Sequence, residues 1–257
     1  MSGPSSSAAP EHAEDPEAVA AVAAALPRPL LVGLDVDGVL APIVAHADDA
    51  VLLPGMLDAM RALAERVTVA VVSGRSISDL QRFGFPDNVE VFGLHGMERY
   101  GRTLELAEHE RERLARLHAL AAEAAHLAGE GAWVEVKPAS VVLHVREASP
   151  VDGARSAEAL RQRAADITGV HILPGKGVVE LLTRATSKAT AIDELRNEVG
   201  ARGVVFAGDD RTDEEVFAAL AGEGCTIRVG PGETAARHRL AGPPEVLRFL
   251  RALTALV

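Results

Sequence analysis

From Leu30 to Leu40 the sequence reads Leu-Leu-Val-Gly-Leu-Asp-Val-Asp-Gly-Val-Leu, and no other stretch limits the possible folds as strongly. An apolar run of β-formers predicts a buried strand, and its abrupt end delivers Asp35 and Asp37 into a turn relaxed by Gly38. Residues two apart on an extended chain share a side, so both carboxylates point the same way. Like charges held that close are costly unless something positive, usually a metal, sits beside them. A solvated acidic turn after a strand has the same local pattern, so the rest of the chain has to decide.

Two further β-branched runs follow. Residues 67–72 end at Ser73-Gly-Arg75, and residues 89–94 end at His95-Gly96. Helical segments lie between them, one from Pro54 to about Arg66 and one from near Ser76. Strand, helix and strand with short links is the pattern of an α/β, doubly wound parallel sheet. Ligands on such a sheet bind outside the carboxyl ends of its strands, where Asp35, Asp37, Ser73 and His95 all fall.

Near Arg102 the pattern changes. A long helix over 104–127, alternating runs at 132–137 and 141–146, a helix over 152–168 capped by Asp152, and runs at 170–173 and 178–182 predict an antiparallel α+β unit. Residues 103–182 therefore read as a domain inserted into a core formed by 17–102 and 183–257. The core resumes with a helix over 187–199, a strand over 203–207 and the acidic segment Gly208-Asp-Asp-Arg-Thr-Asp-Glu-Glu215. Thr212 and Glu215 there fit a capping box. A strand at 225–229 and a helix from about Pro244 close the chain. Residues 1–16, rich in Ser, Ala, Pro and acid, read as a disordered lead.

Composition narrows the chemistry. Apolar residues make up 48% of the 257 but aromatics only 3%, so the core is packed from Ala, Leu and Val. A formal charge of -11 argues against nucleic acid or an anionic membrane as partner, and requires a local basic pocket for any anionic substrate. Cys225 is the single cysteine, which rules out an internal disulfide and favours a reducing compartment. No apolar run approaches the roughly 20 residues of a membrane span. The first apolar stretch follows acids rather than a basic region, unlike a secretion signal. The expectation is a cytoplasmic protein whose partner is a small molecule.

Four features sit on one predicted sheet: Asp35 with Asp37, Ser73, Lys188, and Asp209 and Asp210 with Asp213. Each alone has a dull explanation: a turn serine, a solvated lysine, acids complementing a helix dipole. Together they are the parts list for Mg²⁺-assisted phosphoryl transfer to water. A hard cation takes oxygen ligands, which Asp35, the Asp37 carbonyl and Asp209 could supply. A carboxylate nucleophile splits a difficult hydrolysis into two easier steps. A second acid two residues on can protonate the leaving alkoxide and then deprotonate water. For this it would have to hold a proton among anionic neighbours.

This order of motifs, Asp-x-Asp-Gly, Ser, Lys and Gly-Asp-Asp-x-x-Asp, resembles the haloacid dehalogenase superfamily. The insertion between the Ser and Lys motifs resembles the larger α/β cap of its phosphosugar branch. Within that branch the chain is most similar to the trehalose-6-phosphate phosphatase family. The agreeing residues are Leu34-Asp-Val-Asp-Gly38, Ala41-Pro-Ile43, Ser73-Gly-Arg75, Gly93-Leu-His-Gly96, Glu135-Val-Lys137, His144-Val-Arg146, Val179-Glu-Leu181 and the segment from Gly208 to Glu215. The resemblance implies a Rossmann-like core with Asp35 as nucleophile, Asp37 as acid/base, and Asp209 as a Mg²⁺ ligand. Asp210 and Asp213 would lie behind the metal, and Ser73 and Lys188 would hold the phosphate. Arg75, His95, Gly96, Glu135, Lys137, His144, Arg146 and Glu180 would face the sugar. Two positions depart from the family pattern: Val39 replaces the usual hydroxyl residue, and Ala189 replaces the glycine after the lysine. Other sugar-phosphate phosphatases, a phosphomutase and a silent sugar-phosphate sensor share parts of this list. The complete set of charged participants favours the hydrolase.

Overall fold

A computed structural model of the chain describes residues 12–44, 46–175 and 177–257. Most of the expected disordered lead, residues 1–11, lies outside the described residues. Its end is ordered. The N–H of Glu14 donates to the Arg239 carbonyl at 2.8 Å, and the Glu14 carboxylate accepts the Arg239 N–H at 2.9 Å. The sequence carries no periodic signal for such an edge contact.

The chain begins with α1 (Pro16–Ala24), β1 (Leu30–Leu34), α2 (Met56–Ala64), β2 (Thr68–Val72), α3 (Ile77–Leu80), β3 (Val89–Gly93) and β4 (Glu98–Arg99). Next come α4 (Glu108–Ala128), β5 (Trp133–Val136), β6 (Ser140–His144), α5 (Pro150–Ala165), β7 (His171–Gly175) and β8 (Val178–Leu182). It ends with α6 (Lys188–Val199), β9 (Gly203–Gly208), α7 (Arg211–Ala219), β10 (Cys225–Val229), β11 (His238–Leu240) and α8 (Pro243–Leu256). Two compact units result: first the residues through Arg102 joined with Ser187–Val257, and second Thr103–Thr186.

The first unit is a seven-stranded sheet in the order β11-β10-β9-β1-β2-β3-β4, parallel except for β4. All five residues of β1 are buried, because helices cover both faces. Leu30, Val32 and Leu34 pack into one apolar layer with residues of α1, α2 and α8, while Leu31 packs into another with α6 and α7. Alternation along the strand thus feeds two cores.

Several helix starts differ from expectation. The helix placed from Pro54 begins at Met56, because Gly55 sits at φ +87°, outside helical space. Asp152 lies within the first turn of α5, and Ser149 occupies the cap position. Helix α7 is capped by Asp210, with Asp213 as its reciprocal partner, one pair upstream of Thr212 and Glu215. The strands β4 and β11 are too short for alternation to announce them.

The second unit is an antiparallel sheet, β5-β6-β8-β7. Leu117, Ala121, Leu160, Val141, Leu143 and Leu181 fill the core between one sheet face and α4 and α5. The other face carries the polar residues.

Cys225 opens β10 and is 1% exposed, and burial pushes its thiol up to about 12. Thiolate is the reactive form. The native chain should therefore leave a thiol reagent such as DTNB unreacted at neutral pH, and release one equivalent only after denaturation in urea. Rapid native reaction would show that β10 opens.

Candidate active site

Strand order reverses between the parallel neighbours β9 and β1. From β1 the chain steps to β2 and β3 on one side, and from β9 to β10 and β11 on the other. Connections leaving two parallel neighbours in opposite directions open a crevice at their carboxyl ends. Leu34 is in register with Ala207, so Asp35 and Asp209, which follow the two strands, meet there. Gly38, at φ +75°, allows the approach; a Cβ on it would collide with the Asp209 carboxylate.

Lys188, the first residue of α6, is 1% exposed and reaches into this crevice. Its Nζ lies 2.9 Å from Asp35 Oδ2, 2.9 Å from Asp213 Oδ1 and 3.9 Å from Asp210 Oδ1. The second oxygen of Asp213 accepts the N–H groups of Asp209 and Asp210 at 2.9 and 3.0 Å. Asp213 therefore ties the strand-to-helix turn to the lysine. Asp210 accepts the N–H groups of Thr212 and Asp213, which starts α7 and fixes where Asp209 sits.

The electrostatics follow from burial. Asp35 is 4% exposed, and burial, reinforced by Asp210 and Asp209, pushes its carboxyl up to about 7 against the pull of Lys188. Burial and the same kind of crowding, from Asp210 and Asp213, push Asp209 up to about 7 as well. For Lys188 burial opposes charge, but Asp213, Asp35 and Asp210 outweigh it and hold the ammonium well above its ordinary value. One cation thus faces an excess of buried carboxylate. Oxygens of Asp35, Asp209 and Asp213 lie within 4.8 Å of one another. Both Asp213 oxygens are already bonded, so the surplus charge rests on Asp35 and Asp209. An oxygen-seeking divalent cation suits that donor set.

Asp37 is placed differently from expectation. Its carboxylate faces a cation, not a ring of anions: Arg75 Nε and Nη2 each donate to it at 2.7 Å. The third arm of Arg75 donates to the Ala47 carbonyl at 2.9 Å. The guanidinium foreseen as a sugar contact is spent on Asp37 and on the loop after β1. The sequence held a clue, since Arg75 follows a strand adjacent to β1.

Ser73, 1% exposed, follows β2, and its Oγ accepts the Arg75 N–H at 3.2 Å. Its carbonyl accepts the His95 N–H at 2.9 Å, while the Arg75 carbonyl accepts the Leu94 N–H at 2.8 Å. The His95-Gly96 turn straps the Ser73 loop. His95 is 7% exposed, and its ring lies so close to Gly74 that a Cβ there would strike it. Gly96, at φ +104°, backs against Ala191 of α6. Both support the loop from beneath.

Val39 is fully buried in the core layer with Leu34 and Leu40, and Ala189 packs against the other layer. Both departures from the family pattern are core choices.

In the second unit, strand alternation and register set Glu135, Lys137, His144 and Glu180 on the face away from the helices. The Nζ of Lys137 lies 3.1 Å from Glu180 Oε1, which also accepts Ser140 Oγ–H at 2.7 Å. His144 Nε2 lies 3.0 Å from Glu135 Oε2. Arg146 is exposed two residues beyond β6. Ser140, the first residue of β6, and Trp133, two residues before Glu135, were missed. The period-two pattern that groups Glu135 with Lys137 also reaches Trp133.

The family model for trehalose-phosphatase matches residues 33–243. The trehalose-6-phosphate phosphatase of Escherichia coli (strain K12) is 35% identical over 234 residues, 86% of this chain and 85% of that protein. The crystal structure of a trehalose-6-phosphate phosphatase related protein superposes with a TM-score of 0.73 at 28% identity, covering 88% of this chain and 97% of the other. The C-terminal domain of the C. albicans trehalose-6-phosphate phosphatase shares the fold, with a TM-score of 0.76 at 21% identity over 95% of this chain and 99% of the other.

Proposed function

This chain belongs to the trehalose-phosphatase family, and from that premise we propose how its own residues hydrolyse trehalose 6-phosphate to trehalose and phosphate. The observation that carries the reading is the buried Lys188, held at 2.9 Å from both Asp35 and Asp213 where the sheet changes direction.

Asp35 is the nucleophile. One of its oxygens attacks phosphorus, the bond from phosphorus to the sugar oxygen breaks, and an aspartyl phosphate forms. Once Arg75 releases one of the two Asp37 oxygens it holds, Asp37 passes a proton to the leaving sugar oxygen, then takes one from the water that attacks the aspartyl phosphate and releases Asp35. Arg75 holds Asp37 by two parallel hydrogen bonds, a geometry that fixes a carboxylate in place. Lys188 and Ser73 hold the phosphoryl oxygens, and Asp213 keeps Lys188 aimed. Asp35, the Asp37 carbonyl and Asp209 would hold Mg²⁺, with Asp210 and Asp213 fixing the turn behind Asp209. When bound, that cation neutralises charge on the phosphoryl group.

The inserted unit selects the sugar through Glu135, Lys137, His144, Arg146 and Glu180. A sheet face with carboxylates and cations matches hydroxyl groups, which both donate and accept. The setting is the cytoplasm, which suits a single buried cysteine. Among the described residues no helix is long and apolar enough to cross a membrane.

Phosphate release from a panel of phosphosugars, with Mg²⁺ and with EDTA, tests the reading. Trehalose 6-phosphate is expected to be the preferred substrate, with free trehalose as product and no turnover in EDTA. An isomeric sugar phosphate in place of free phosphate would identify a mutase. Binding without any turnover would identify a sensor.

A further inference from the structure

Trp133 opens β5 beside the polar row of the inserted unit, and no step of the hydrolysis uses it. The residue is 51% exposed although it is large and apolar. Its ring stacks on the His144 imidazole, with centroids 3.7 Å apart and planes 2° from parallel. His144 in turn is held at 3.0 Å by Glu135. One face of the indole is therefore covered and its tilt is fixed, while the other face meets solvent. Register pairs Trp133 with His144, Glu135 with Val142, and Val142 with Glu180, so the indole and both carboxylates belong to one sheet face.

We propose that Trp133 is a sugar-stacking residue that determines specificity for the disaccharide; this rests on the trehalose 6-phosphate reading of the same chain. A pyranose ring is amphipathic. Its C–H groups gather on a face with slight positive charge, and its hydroxyls project from the rim. The indole face is electron-rich, so the C–H face lies flat on it. The hydroxyl rim then meets Glu135 and the Lys137–Glu180 pair, which accept and donate hydrogen bonds. A rigid platform loses little side-chain entropy when the sugar arrives, which is the advantage of holding it by His144 beforehand. The ring it takes is a neutral pyranose, because a phosphate would meet Glu135 and Glu180.

Trp133 is the only tryptophan in the chain, so its fluorescence reports directly on this contact. The Asp35→Asn chain, which should bind without turnover, is titrated with trehalose 6-phosphate while Trp133 emission is followed. The emission is expected to shift and saturate. In the otherwise unaltered enzyme, Trp133→Ala is expected to raise KM for trehalose 6-phosphate about tenfold, the scale of one aromatic contact, with a much smaller change in kcat. Trp133→Phe, which keeps an aromatic face, should recover most of that loss. Emission that stays fixed at saturating ligand, or Trp133→Ala with an unchanged KM, overturns the proposal while the hydrolase reading stands. A native chain that does not turn over trehalose 6-phosphate at all overturns the parent reading instead.

Discussion

Asp35→Asn is expected to abolish phosphate release, by on the order of 10⁴-fold or more, without unfolding the chain. The two effects separate because Asp35 is where the fold carries electrostatic strain. It is buried beside Asp209 and Asp213, and its carboxyl is pushed up to about 7. Asparagine keeps the shape, removes one anion, and leaves Lys188 with Asp213 at 2.9 Å. The metal-free variant should therefore melt no lower than the native chain at pH 8, and higher if the removed charge was the larger burden. Residual turnover is read by phosphate release and stability by thermal unfolding. A variant that is both inactive and unfolded would place Asp35 in the scaffold rather than in the chemistry.

Lys188→Met should have the opposite stability outcome with the same loss of activity. Methionine fills a similar volume, so the change is chiefly electrical. Removing the ammonium leaves Asp35 and Asp213 buried without their common partner. Breaking a buried ion pair from one side costs about 3–5 kcal/mol, because the remaining charge is left unpaired. The urea midpoint should fall accordingly. Combining Lys188→Met with Asp35→Asn should restore part of that loss, since the pair acts as a unit and the two changes are not additive. An unchanged midpoint in Lys188→Met would mean the carboxylates find other compensation.

The longer strands, and the acids that follow two of them, were legible in the sequence because they rest on short-range rules. Buried strands are apolar runs, and acids at strand ends stand out against them, as Asp35 and Asp209 do. Register then did the rest, since pairing Leu34 with Ala207 brings two residues far apart in sequence to one crevice. What was not legible depended on which way a side chain turns once packed. Arg75 could have faced substrate, yet its fork fits the Asp37 carboxylate. His95 carries a reactive ring, yet it lies under Gly74 as a support. Val39 looked like a missing hydroxyl, yet its side chain belongs to the core. The cap of α7 shifted from Thr212 to Asp210 for a related reason. Asp213 was needed inward, against Lys188, and Asp210 took the outward position.

The central claim is that the Asp35 carboxylate takes the phosphoryl group from the sugar. Acyl phosphates are reduced by borohydride to the alcohol, whereas free carboxylates are not. The chain, turning over trehalose 6-phosphate with Mg²⁺, is quenched in acid, treated with borohydride, digested and read by mass spectrometry. The expected result is a homoserine residue at position 35 and unmodified aspartate at positions 37, 209, 210 and 213. An intact aspartate at position 35, with the reduction product at another carboxylate, would contradict it.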